Sequence, residues 1–164
     1  MSQIQNMTGR LAAIALRPER YKDMVEVSEG RVLMETGLEG DHAGKRKDRL
    51  ISILSRESWE AACESLSPPE QLSWLTRRAN LLVEDIRLPR SQGAILQIGP
   101  VRLEITHQTY PCVRMENAQP GLLKALAKDW RGGVLCKITK DGILSVGDTV
   151  EVLFAPPEKI RRLP

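Results

Sequence analysis

Short runs rich in Val, Ile, Leu and Thr, each cut off by Gly, Pro or Asp, recur along this chain and constrain its fold more than any other feature. They are Leu11–Leu16, Val25–Val27 with Arg31–Thr36, Leu50–Ser55, Asn80–Val83, Ala94–Ile98, Val101–Thr109, Val134–Thr139 and Leu144–Leu153. Only two helix-like segments lie between them, too few for an alternating α/β chain. The expected fold is therefore mainly β, a closed or partly closed barrel with two or three peripheral helices. With 164 residues the chain is expected to form one domain, its core at about 9–153, followed by a basic tail over 154–164.

One helix is expected over Arg56–Leu66, where Trp59, Ala62, Cys63 and Leu66 share a face, Ser55 can cap and Pro68-Pro69 stops the chain. The other starts at Pro120 and carries Leu122, Leu123, Leu126 and Trp130 on one stripe before Gly132-Gly133. Asp141-Gly142 tolerates the positive φ of a tight turn, so Val134–Thr139 and Ile143–Val146 are expected to pair as a hairpin. In the tail, Lys159, Arg161 and Arg162 read as a solvated chain end.

Composition excludes several functions. Lys and Arg total 24 against 21 Asp and Glu, a net charge of +3 that asks for no nucleic-acid partner. Aromatics at 4% cannot build a surface of stacked bases. The apolar run Leu11–Leu16 ends at Arg17, too short for a membrane span or a signal-peptide core. Cys63, Cys112 and Cys136 form no CxxC pair and no disulfide framework, which fits a reducing cytoplasm.

Strict alternation over 101–109 places Val101, Leu103, Ile105, His107 and Thr109 on one face. His107 and Thr109 are thus expected to extend the core-facing row. Tyr110-Pro111 then stops ladder pairing and leaves Cys112 in a loop at the barrel rim, where a thiol can meet a ligand. Cys63 and Cys136 read as small buried hydrophobes. The loop over 37–49, GLEGDHAGKRKDR, is either an anion cradle, with backbone N–H groups and Lys45 as donors, or a solvated turn. Asp41-His42 makes at most a weak metal motif, because no second His–carboxylate cluster follows.

Before the strand at Asn80, Arg77 and Arg78 would point to opposite faces if extended, so that one could face a site. Guanidinium suits phosphate, and the Asn80 amide suits a heterocycle edge. Gly132 and Gly133 serve as a helix stop or as a close backbone approach to a ligand.

Taken in order, GLEGDHAG, RRANLLVEDIRL, IGPVRLEITHQTYPC, PGLLKAL, RGG and DGILSVGDTVEV resemble the MOSC domain, the module at the C-terminus of molybdenum cofactor sulfurases. The resemblance implies a MOSC-type barrel, similar to the pyruvate-kinase β-barrel. It also implies binding of the molybdenum cofactor, a phosphorylated molybdopterin, with Cys112 as molybdenum ligand or sulfur carrier. Arg77, Arg78 and Asn80, with Asp41, His42 and Lys45, map onto the polar residues around that cofactor; Thr109, Gly132 and Gly133 join them from the strand and turn reading. Two implied activities stand side by side. One is reduction of N-hydroxylated or N-oxide substrates with His107 supplying protons, fed by an external electron donor. The other is sulfur transfer through a Cys112 persulfide fed by a cysteine desulfurase-type donor. A non-catalytic anion-binding barrel is the third reading. Many relatives have glycine where this chain has Glu84-Asp85. The pyridoxal-phosphate domain of the fused sulfurases is not expected here, nor is covalently bound pyridoxal phosphate.

Overall fold

The computed structural model describes residues 8–20, 22–42 and 50–159. Its strands are β1 (Thr8–Leu16), β2 (Val25–Val27), β3 (Glu29–Leu33), β4 (Gly37–Leu38), β5 (Ile51–Ser55), β6 (Leu81–Glu84), β7 (Ile95–Ile98), β8 (Val101–Gln108), β9 (Val134–Lys140), β10 (Gly142–Ser145) and β11 (Thr149–Phe154). Three helices accompany them, α1 (Arg56–Glu64), α2 (Val113–Ala118) and α3 (Leu122–Ala127), and a 3-10 turn spans Trp74–Arg77.

Seven strands close into a barrel in the order β11, β7, β8, β9, β5, β6, β1, with β1 returning to β11. Closure depends on β1 serving two partners. Thr8–Arg10 pair with β11, while Arg10–Ile14 pair with β6 across a bulge between Leu11 and Ala13 that bends the strand from one neighbour to the next. β5 and β6 run parallel, which requires a crossover, and α1 with the 3-10 turn supplies it.

Alternation fills the interior. On β8, Val101, Leu103 and Ile105 are fully buried while Arg102 is exposed, and Leu96, Ile98, Leu81, Val83, Ile53 and Cys136 complete the same core. Each large aliphatic side chain buried there contributes roughly 1.5–3 kcal/mol. A second apolar layer lies outside the barrel. There Leu54 and Leu82, on the outer faces of β5 and β6, meet Trp59, Ala62 and Cys63 of α1, Met115 of α2 and Leu122 and Leu126 of α3. Ser55 caps α1 by accepting from Ser58 N, and Trp59 Nε1 donates to Leu72 O at 2.9 Å.

Three expectations are corrected. β10 pairs with β3, not with β9, in a separate sheet ordered β10, β3, β4. β8 already takes one edge of β9 along its length and β5 takes the other at Val134–Cys136. Asp141 Oδ1 accepts from Met34 N at 2.5 Å, so the Asp-Gly turn feeds the β3–β4 hairpin instead. The stripe expected to reach Trp130 stops at Ala127, because Asp129 and Trp130 adopt left-handed backbone (φ 52° and 56°) that no helix continues. Trp130 packs against the barrel core rather than the helix layer. Third, Gly37–Leu38, placed by sequence in the loop, form a short strand.

Candidate functional site

At one rim of the barrel the C-terminal ends of β1 and β8 meet the N-terminal ends of β5, β6 and β9, and a cavity of about 430 Å³ opens there. Cys112 lies on it, exposed, at the N-cap position of α2 just beyond β8. Cys63 and Cys136 are buried, and burial pushes both thiols up from their ordinary value.

Arg77 is the buried element of the cavity wall, 8% exposed. Its Nε donates to Gly132 O and its Nη2 to Thr109 O, both at 3.0 Å. Burial lowers the guanidinium's pKa from its ordinary value, and the opposing influence is Cys112. Arg78 lines the cavity too, contrary to the expectation that one of the pair would turn away. Arg77 ends the 3-10 turn and Arg78 follows in left-handed backbone (φ 65°), so neither obeys strand alternation. The Arg78 guanidinium is also lowered, first by burial and then by Arg17 and Arg114, with Asp23 opposing.

Asn80 is at the wall, but its side chain is committed to the fold. Oδ1 accepts from Ser52 N and Ser52 Oγ, both at 3.2 Å, and Nδ2 donates to Ala15 O at 3.3 Å, tying β5, β6 and β1 together. Asp41, also buried, accepts from Arg17 N through Oδ1 at 2.8 Å and so fixes the exit of β1.

The expected core-facing position of His107 is wrong. A bulge between Ile105 and His107 resets the alternation, because β8 carries one more residue there than β9, and His107 turns out exposed. It still lines the cavity. Thr106 Oγ1 lies 3.0 Å from Leu135 O, to which it donates, and 2.9 Å from His107 Nδ1, so the ring is held on its Nδ1 side and Nε2 is the nitrogen without a partner among the described residues. Thr109 is on the wall with Oγ1 fully buried and lacking a hydrogen-bond partner among the described residues.

Gly132 and Gly133 approach the chain itself. A Cβ on Gly132 would sit 2.4 Å from Thr109 O, and one on Gly133 2.4 Å from Ile53 O. Gly133 faces a different cavity, beside Trp130. His42 does not line the Cys112 cavity; its N–H donates to Arg17 O at 2.7 Å. Lys45 lies outside the described residues, with most of the basic part of its loop.

Sequence reading missed Arg17 and Arg114, which line the cavity with Arg77 and Arg78. Their signal was positional: Arg17 ends the first apolar run, and Arg114 follows Cys112 by two residues. Among the described residues, none of these four guanidiniums has a carboxylate within 4.0 Å, whereas Arg10, Arg56, Arg87 and Arg90 do. The arrangement therefore offers a soft thiol beside four guanidiniums without ion-pair partners among the described residues, suited to an anionic ligand.

A closed seven-strand barrel with this rim is the architecture of the MOSC domain, whose family model matches residues 39–151; the chain belongs to the MOSC domain family. Crystal structures with the same fold include the YuaD protein of Bacillus subtilis (TM-score 0.70, 19% identity, covering 89% of this chain and 96% of that one). YiiM of Geobacillus stearothermophilus superposes with a TM-score of 0.66 at 15% identity, over 89% of this chain and 75% of that one. YiiM of Escherichia coli gives 0.64 at 18% identity, over 91% and 72%. No curated protein matches the chain in sequence. No helix among the described residues is long and apolar enough to cross a membrane.

Proposed function

We propose that the rim cavity binds a phosphorylated molybdopterin carrying molybdenum, with Cys112 as the protein's ligand to the metal, and that the chain supports reduction of N-hydroxylated or N-oxide substrates. The observation that carries this reading is the four-arginine lining, free of carboxylate partners among the described residues, around an exposed thiol. The residues fit such a group. Guanidinium clusters recognise phosphate, and thiolate is a soft ligand for a thiophilic metal. The orphaned Thr109 Oγ1 is a buried polar atom awaiting a partner. Among the described residues no three His, Cys, Asp or Glu side chains gather to hold a metal, so the remaining ligands would come from the pterin's sulfurs.

When bound, the cofactor supplies two-electron redox chemistry. The protein's share is binding and proton management. Arg17 and Arg78 would take the phosphate, and Arg77 would hold the backbone on both sides of the cavity at fixed separation. Asn80 and Asp41 act indirectly, by fixing the strands from which the arginines project. His107, exposed on the cavity wall, would be the side chain that exchanges a proton with the substrate. Electrons would come from an external donor in the cytoplasm.

The alternative is sulfur transfer, in which Cys112 accepts sulfur as a persulfide from a desulfurase-type protein. The exposure of Cys112 beside exposed Tyr110 and Val113 favours it, since a partner's thiol can reach the site. Metal and pterin analysis of protein from a molybdate-supplied host tests the first reading. Wild type, Cys63→Ser and Cys136→Ser are expected to retain molybdenum, and Cys112→Ser to lose it. Equal retention in all three variants overturns the assignment, and a persulfide on Cys112 in metal-free wild type favours the alternative.

A further inference from the structure

A second cavity, of about 570 Å³, adjoins the first between the 3-10 turn and α2. The two share Met24, Arg78 and Arg114 and nothing else. The shared residues therefore stand where one cavity passes into the other. Ser73, Leu75 and Thr76 line the far wall, and Asp23 is its carboxylate.

Arg114 is placed unlike the other three arginines. Arg77 is buried, Arg78 donates to Lys22 O at 3.4 Å, and Arg17, whose guanidinium is likewise without a partner among the described residues, is half-buried and lines only the first cavity. Arg114 is exposed on the first turn of α2, two residues from Cys112, and makes neither a hydrogen bond nor an ion pair among the described residues. Its charge is near enough to Arg78 to disfavour the charged form of that neighbour. Two like charges facing one passage, one of them with no partner, are relieved by an anion lying in the passage.

We propose that this second cavity is a substrate subsite, and that Arg114 selects molecules carrying a phosphate or carboxylate next to the group that reacts at Cys112. The inference rests on the reading of the Cys112 cavity given above and adds the charge class of the substrate. Apolar Met24 and Leu75 would pack the uncharged part of the molecule, and the anionic group would sit at the junction.

Two measurements test it. The first needs no turnover: on full-length protein made without pterin, the rate of Cys112 alkylation by iodoacetate is divided by the rate with neutral iodoacetamide. The ratio cancels the thiolate fraction and reads the local field, and buried Cys63 and Cys136 do not compete. Wild type is expected to exceed a small-molecule thiol several-fold, with the excess falling as salt is added and falling again in Arg114→Gln. A ratio that Arg114→Gln leaves unchanged overturns the proposal. The second uses cofactor-loaded protein and a pair of N-hydroxylated substrates differing by one phosphate. The ratio of their kcat/KM values is expected to favour the phosphorylated member and to drop about tenfold in Arg114→Gln, the low end for one charge-assisted contact. Equal loss for both members also overturns the proposal. Should neither substrate react, the reductase reading fails while the alkylation ratio still decides the subsite.

Discussion

Arg77 donates to Thr109 O through Nη2 at 3.0 Å, so the guanidinium that shares the cavity wall with Cys112 also pins the backbone that leads into it. Replacing it with lysine keeps a charge but loses the planar fork that bonds Thr109 O and Gly132 O together. Arg77→Lys is expected to cost about 1–3 kcal/mol in urea unfolding, the penalty of a buried acceptor left without its donor. Mobility of Cys112, followed by a spin label on that thiol, should rise in the same variant.

Asn80 separates support from contact. If its amide is a clamp, Asn80→Ala should destabilise the fold by about 1–3 kcal/mol. It should also speed amide exchange at Ser52, whose N–H donates to Asn80 Oδ1, while Gly99, bonded to Thr149 O, keeps its protection. An Asn80 that contacted ligand alone would leave both amides as they were.

Gly132→Ala puts a Cβ 2.4 Å from Thr109 O and 3.2 Å from Arg77 Nη2. The first contact is to backbone and cannot be relieved by a rotamer change. The expected cost is about 1–3 kcal/mol of overpacking, seen as a lower Tm, together with weaker retention of pterin than in wild type.

Glu158 gives a pH signature. Hydrogen bonds from Arg87, at 2.7 and 2.8 Å, and from Arg90 N hold its carboxyl down from 4.5 to about 2. A carboxyl depressed by folding stabilises the native state above its unfolded pKa and loses that contribution as pH falls through the folded one. Wild type should therefore exceed Glu158→Gln in stability at neutral pH, with the gap closing between pH 4.5 and about 2. Both side chains are about one-third exposed, so the gap is about 1 kcal/mol or less. A gap that widens on acidification would contradict the assigned partners.

The barrel was legible because its strands are bounded by turn residues and alternate cleanly, as Val101, Leu103 and Ile105 do. The rim position of Cys112 was legible because Tyr110-Pro111 cannot extend the strand, which ends at Gln108. His107 was not, because the bulge that turns it outward is set by pairing with β9, far away in sequence. Arg78 was named as a candidate, but that it faces the cavity together with Arg77 was hidden by a left-handed backbone that a non-glycine residue does not advertise. Asp85, after Glu84 at the end of β6, also has positive φ (62°), a backbone shape that glycine adopts more readily. Glu84 beside it is held by Arg10 and Arg56, an interaction visible only once β1, β6 and α1 are assembled. α2 escaped notice because six residues with Met115 as the buried one carry no period to read.

The double pairing of β1 also orders the life history of the chain. Thr8–Arg10 find their partners in Thr149–Glu151, so while the protein is being synthesised this end of β1 exposes an unsatisfied edge until β11 has emerged from the ribosome. The Cys112 rim, assembled from the other end of β1 with β5, β6, β8 and β9, needs no residue of β11. The rim cavity thus depends on none of the contacts that seal the barrel. If the rim holds a phosphorylated ligand as proposed, its early occupancy would act as a template, holding the open cylinder in register for β11 to lock.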